Sequence, residues 1–140
     1  MYELKKIKQY KGRETPGFSA EIFRDGKFIG NVVDAGNGGC YSIYMQRDDR
    51  EQFRKDVEEW QKLRNRPDVL EPYDRFLDEL FDLFRMRKQA RRQSQRVKEP
   101  FPPGGWYARL ERKTDGSFEL SDTIVYIRSC VTAGPEFIKL

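Results

Sequence analysis

The first 45 positions read as short β-rich runs punctuated by glycine turns, and after them apolar residues recur every three to four positions, so the chain reads as β-structure followed by helix. Phe18, Ala20 and Ile22 alternate with Ser19 and Glu21, which predicts a strand with one buried face. Leu4 to Tyr10 predicts an opening strand, followed by a turn through Gly12 to Gly17. Asp25-Gly26 sits between two β-rich runs and marks a two-residue hairpin, because both turn positions favour φ > 0. The return strand, Lys27 to Val33, is interrupted by Gly30; the loop DAGNGG (Asp34 to Gly39) follows, and Cys40 to Met45 predicts the next strand.

Residues 47–66 predict an amphipathic helix with Phe53, Val57, Trp60 and Leu63 on one face, Asp48 or Asp49 as its cap and Pro67 as its end. A second helix is predicted from near Glu71, with Pro72 in its first turn, to about Val97. Arg75 apart, its acids (Glu71, Asp74, Asp78, Glu79, Asp82) precede its bases, the order the macrodipole favours. The apolar stripe runs Tyr73, Phe76, Leu77, Leu80, Phe81, Phe84, and Arg87, Lys88 and Arg91 then take over the same face. The helix is therefore expected to leave the body of the protein after Phe84 or to meet something acidic there. A length of roughly 40 Å also points to projection.

Glu99 to Gly105 (EPFPPGG) breaks the helix. Trp106 to Lys113 and Ser117 to Arg128 predict a second hairpin around Asp115-Gly116, and the consecutive apolar residues Ile124 to Ile127 predict a strand covered on both faces. The tail from Ala133 to Leu140 is too short to assign. The expected class is α+β: an antiparallel sheet of N-terminal meander plus C-terminal hairpin, with two helices packed on one face. One domain is expected over 1–140, made of a meander (1–45), a helical pair (47–97) and a hairpin (106–130).

Charge changes this picture. The chain holds 27 Lys and Arg against 23 Asp and Glu, a net of +4. Residues 85–98 carry seven of those cations (Arg85, Arg87, Lys88, Arg91, Arg92, Arg96, Lys98) and no acid, which leaves 20 basic against 23 acidic residues elsewhere. The basicity is local, as in a docking site for phosphates or an acidic protein surface. Two or three cations would suffice to complement a helix end.

The chain has no histidine, which removes histidine-based nucleophile pairs, general bases and metal sites together. Carboxylate and lysine chemistry survive. Cys40 and Cys130 form no metal motif or disulfide framework and are expected as reduced thiols. No run approaches the roughly 20 apolar residues that span a bilayer, and the first residues lack the apolar stretch of a secretory signal. A cytoplasmic protein with no membrane partner, no cofactor and no catalytic residues is expected.

Three constellations could carry chemistry. DAGNGG is glycine-rich but lacks dinucleotide-loop spacing and the phosphate-loop lysine, and it leads into a strand, so it reads as a backbone connection more than a nucleotide cradle. The acidic pairs Asp48-Asp49, Glu58-Glu59 and Asp78-Glu79 are the raw material of a metal-dependent hydrolase or nuclease, yet the first two sit in a mixed-charge helix face. Trp106 and Tyr107 follow the basic run, so bases could stack on their rings while Arg and Lys track phosphates; the alternative is that Trp106 packs on the core.

The N-terminal third resembles a family of small proteins from phages, prophages and other mobile elements. The similarity rests on LKKIK (Leu4 to Lys8), Glu14-Thr15, Phe18-Ser19-Ala20, DGKFIG (Asp25 to Gly30) and DAGNGG running into an aromatic strand, and more loosely on the acidic-to-basic helix. The hairpin from Trp106 departs from that family. The resemblance implies a phage-type accessory protein that binds and inhibits host machinery. The expected function is inhibition of host nucleic-acid-targeting defence by a non-enzymatic protein of the anti-CRISPR kind. Its partner would be a host defence protein or its nucleic-acid complex, met through Arg85 to Lys98 with Trp106 and Tyr107. Direct nucleic-acid binding and carboxylate-metal hydrolysis are the alternatives, and a homodimer bounded near Phe84 fits the stripe change equally.

Overall fold

The N-terminal alternation becomes a four-stranded antiparallel meander: β1 (Tyr2–Tyr10), β2 (Gly17–Arg24), β3 (Lys27–Asp34) and β4 (Ser42–Met45), paired in sequence order. Helices α1 (Arg47–Leu63) and α2 (Pro72–Arg96) follow, then β5 (Gly104–Arg112), β6 (Phe118–Arg128) and β7 (Phe137–Lys139) in a second antiparallel sheet of order β6-β5-β7. The class is α+β. The computed structural model describes residues 1–97 and 101–140. Within it, contacts cluster into two compact units: Met1–Lys62 with Pro67–Phe81, and Leu63–Arg66 with Asp82–Leu140.

In the first unit, Leu4, Phe18, Ala20, Ile22 and Val32 are buried on one face of the sheet, with Leu4 opposite Ile22 and Ala20 opposite Val32. Phe53, Val57 and Trp60 of α1 and Phe76, Leu77 and Leu80 of α2 are buried with them. Tyr2 stands edge-on to Phe53 at 5.7 Å and to Phe76 at 5.3 Å, and Phe18 meets Phe81 at 5.3 Å. The helices thus cover the inner face of the meander. Each fully buried large apolar side chain here contributes about 1.5–3 kcal/mol. Tyr2 also donates its hydroxyl to Asp56, and Arg24 binds Asp49 at 3.1 Å, tying β1 and β2 to α1. Burial and the Asp56 carboxylate push the Tyr2 hydroxyl well above the usual phenol range.

Several local expectations need correction. α1 ends at Leu63, and Leu63 is 65% exposed instead of lying on the buried face. The chain turns out of the helix because Asn65 adopts φ 52°, a left-handed terminator, and the Phe118 amide donates to the Arg64 carbonyl at 2.8 Å. Asp48 and Asp49 lie inside the first turn, so neither is the cap; the Gln46 carbonyl accepts the first helical bond, from Arg50.

In the second unit, Trp106 lies opposite Tyr126, Ala108 opposite Ile124 and Leu110 opposite Leu120. Gly116 supplies φ 85° at the turn, and the Asp115 carboxylate accepts the Ser117 amide at 2.9 Å and its hydroxyl at 2.6 Å. Those two bonds hold the Asp115 carboxyl below its ordinary range. Ile124 to Ile127 are half-buried, not covered on both faces. The expected hairpin belongs to a sheet of its own, and β7, from the unassigned tail, takes the second edge of β5 with Ala108 opposite Ile138.

Candidate functional site

The basic run lies on α2 within the second unit. The apolar stripe does not end at Phe84: Leu83, Met86 and Ala90 are 5–7% exposed and carry the buried side of the helix another two turns. Arg87 is half-buried on the flank of that side, while every residue from Arg91 to Val97 is exposed. A period of 3.6 residues places Arg85, Lys88, Arg92 and Arg96 within roughly 80° of arc, on the side away from Met86 and Ala90. The result is a cationic ridge of about 16 Å, flanked by Arg91. Small Ala90 and unbranched Met86 continue the core within the Arg-Lys run, where neither stands out as a large apolar residue.

The ridge has defined local partners. Arg85 pairs with Asp82 one turn earlier, and Lys88 holds its ammonium 4.7 Å from the Phe84 ring centroid. A cleft of about 230 Å³ lined by Asp82, Arg85, Met86, Gln89 and Asp122 closes the N-terminal end of the ridge with two carboxylates. Lys98 lies outside the described residues. Charge follows the same division: the second unit holds 14 basic against 7 acidic residues, net +7, and the first holds 13 against 16, net −3. Net charge therefore draws an anionic partner at long range toward the second unit, and only a local cationic cluster could hold one on the first.

Trp106 and Tyr107 point to opposite sides of β5. Trp106 is half-buried, stands edge-on to Phe101 and Tyr126 at 5.3 Å each, and donates its indole N–H to Ser94 of α2 at 2.9 Å. Its ring is engaged within the unit. Tyr107 meets Phe137 of β7 edge-on at 6.4 Å. Neither ring joins the ridge as an open stacking surface.

The glycine-rich loop is a clasp. The Gly36 carbonyl accepts the amides of Glu14 and Thr15 at 2.8 and 2.9 Å, and a Cβ on Gly36 would stand 2.5 Å from Gly12 Cα. Backbone approach between two loops accounts for these glycines. Beside it, the Cys40 thiol donates to Glu71 at 3.0 Å, and Asp74, 5% exposed, accepts the Tyr41 amide at 3.0 Å. The Cys40, Glu71 and Asp74 donor atoms lie within 4.8 Å of one another. The Glu71 bond raises the Cys40 thiol, and burial raises the Asp74 carboxyl. In the sequence Cys40 stands isolated; Glu71 and Asp74, three apart at the start of α2, are the local signal of the cluster. Asp78 accepts the Tyr41 hydroxyl, Trp60 donates to Glu79 at 3.0 Å, and Glu51 and Glu58 bracket Arg54 on α1. These acids are engaged in bonds along the helix surface, between the helices and, for Asp78, to the loop before β4.

No helix of the described residues is long and apolar enough to cross a membrane. Cys40 and Cys130 are both free and exposed. Comparison with known protein families, characterised proteins and solved structures gives no match.

Proposed function

We propose that this chain is a non-enzymatic accessory protein of the phage type, which inhibits a host nucleic-acid-targeting defence by seating the α2 ridge on an acidic partner surface. The observation that carries the reading is the ridge itself: Arg85, Lys88, Arg92 and Arg96 share one side of a helix whose other side is anchored by Leu83, Met86 and Ala90. An anchored helix presents its guanidinium groups pre-positioned, which lowers the ordering cost of binding, and arginine forks pair with carboxylate or phosphate through two bonds. Direct binding of nucleic acid through the same ridge is the second reading, supported by the +7 charge of the unit that bears it.

The test is a pull-down from host lysate, run with and without nuclease, comparing the wild type with a Lys88→Glu, Arg91→Glu, Arg92→Glu, Arg96→Glu variant. A discrete protein retained after nuclease and lost in the variant, at an unchanged melting temperature, supports the inhibitor reading. Recovery of nucleic acid alone, lost on digestion, moves the assignment to the second reading. Equal capture by the variant overturns both.

A further inference from the structure

The outward face of the meander carries a second surface, on different residues and in the other unit from the α2 ridge. A bulge in β1 creates it. Between the pairs Lys5–Glu21 and Lys8–Ser19, β1 has one residue more than β2, and Lys6 adopts φ 51°. Regular alternation would turn Lys6 toward the helices, because Leu4 is buried there. The bulge re-aims it: the Lys6 ammonium lies 3.5 Å from the Glu21 carboxylate on the outer face, with its side chain 76% exposed. Three lysines, Lys5, Lys6 and Lys8, therefore leave one strand on one side. A left-handed lysine is strained relative to a relaxed one, and here that strain accompanies a cationic face.

Beside these lysines is a cleft of about 290 Å³, lined on this face by Lys6, Lys8, Ser19, Glu21, Asn31 and Val33. Register sets Lys5, Glu21, Asn31 and Tyr44 side by side across all four strands, a row of roughly 14 Å. Tyr44 is 60% exposed at its far end. Phe28, 46% exposed, meets Phe23 edge-on at 5.8 Å, and Lys5 caps the Phe23 ring at 4.5 Å. The acids on this face are Glu21, paired with Lys6, and Glu3, opposite Phe23.

We propose that this outer face binds single-stranded nucleic acid, with Lys5, Lys6 and Lys8 on the phosphates and the Tyr44 ring stacked on a base. Cations at one edge of an open sheet and a solvent-facing ring at the other match a backbone with unpaired bases. The bases of a duplex are stacked on one another and offer no free face to Tyr44. Ser19 and Asn31 line the space between and supply polar groups for a sugar or base edge.

The experiment is fluorescence anisotropy of the full chain with a labelled mixed-sequence 12-nucleotide single strand and with its duplex, as a function of salt. Preference for the single strand is expected. Tyr44→Ala should weaken it about tenfold and Tyr44→Phe should restore it, since one stacked base contributes roughly 1–3 kcal/mol. Replacing Lys5, Lys6 and Lys8 by Ala should flatten the slope of log K against log salt by about 2, and Glu21→Gln should tighten binding. The α2 charge-reversal variant should keep the single-strand preference, which separates this surface from the ridge. Absence of single-strand binding at low salt, equal affinity for the duplex, indifference to Tyr44→Ala, or loss only on α2 reversal each overturns the proposal.

Discussion

The indole N–H of Trp106 donates to the Ser94 hydroxyl at 2.9 Å, so α2 stays bound to β5 one turn beyond Ala90, its last buried residue. The bond explains why the helix does not stand free although every residue from Arg91 to Val97 is exposed. Ser94→Ala should lower unfolding stability by roughly 0.5–1.5 kcal/mol, the usual net worth of such a bond. Trp106→Phe removes the donor and part of the ring packed on Phe101 and Tyr126, so it should show a larger loss than Ser94→Ala in urea denaturation.

The two sides of α2 should respond oppositely to the same change. Ala90→Glu puts a charge on the buried side and should destabilise by about 3 kcal/mol or more. Arg92→Glu, two residues later on the ridge, should stay within about 0.5 kcal/mol of wild type. Paired thermal melts decide this; equal effects would mean that the helix leaves the body after Phe84.

Asp74 gives stability a pH dependence. Burial raises its carboxyl in the folded chain, so the native state holds a proton through a pH window in which the unfolded state has released it. Stability from this group therefore falls as pH rises through the window above the ordinary aspartate value. Asp74→Asn keeps an acceptor for the Tyr41 amide and cannot ionise. It should match wild type near pH 3 and gain on it toward pH 7 in urea denaturation; a gap that does not change with pH would refute the assignment.

The clasp reading of DAGNGG distinguishes two neighbouring glycines. Gly36 has φ 74° and no room for a Cβ beside Gly12, so Gly36→Ala should cost roughly 2 kcal/mol or more. Gly39, with open space around it, should accept Ala within about 0.5 kcal/mol. Added nucleotide should leave the melting temperature unchanged. A nucleotide-dependent shift would restore the cradle reading.

Cys40 reactivity should be set by Glu71. The carboxylate accepts the thiol proton and raises the thiol, so thiolate is scarce near neutrality. In a Cys130→Ser background, Glu71→Gln should speed disulfide-exchange labelling of Cys40 several-fold at pH 7.5. An unchanged rate would show that the bond does not form in solution.

What could be read from the chain follows its local physics. Alternation at Phe18, Ala20 and Ile22, the glycine turns at Gly26 and Gly116, and helical spacing at Phe53, Val57 and Trp60 are properties of short windows, and each element appears where those residues put it. The features not legible depend on distant partners. Leu63 fits the apolar face by spacing, yet the departure at Asn65 leaves it in solvent. Met86 and Ala90 lie among four cations and do not stand out in the sequence, though they hold the ridge in place. Lys6 sits in an ordinary-looking strand, and only its pairing with β2 reveals the bulge. Cys40 and Glu71 are 31 residues apart, beyond any local pattern.

β7 is three residues long, and it occupies the β5 edge opposite β6 along Tyr107, Ala108 and Arg109. Without Phe137–Lys139 those backbone groups would form an open template next to the aromatic side chain of Tyr107, inviting strands from other chains. The short strand thus moves the sheet's edge outward from nine-residue β5 to a three-residue segment, a much shorter template for an incoming chain.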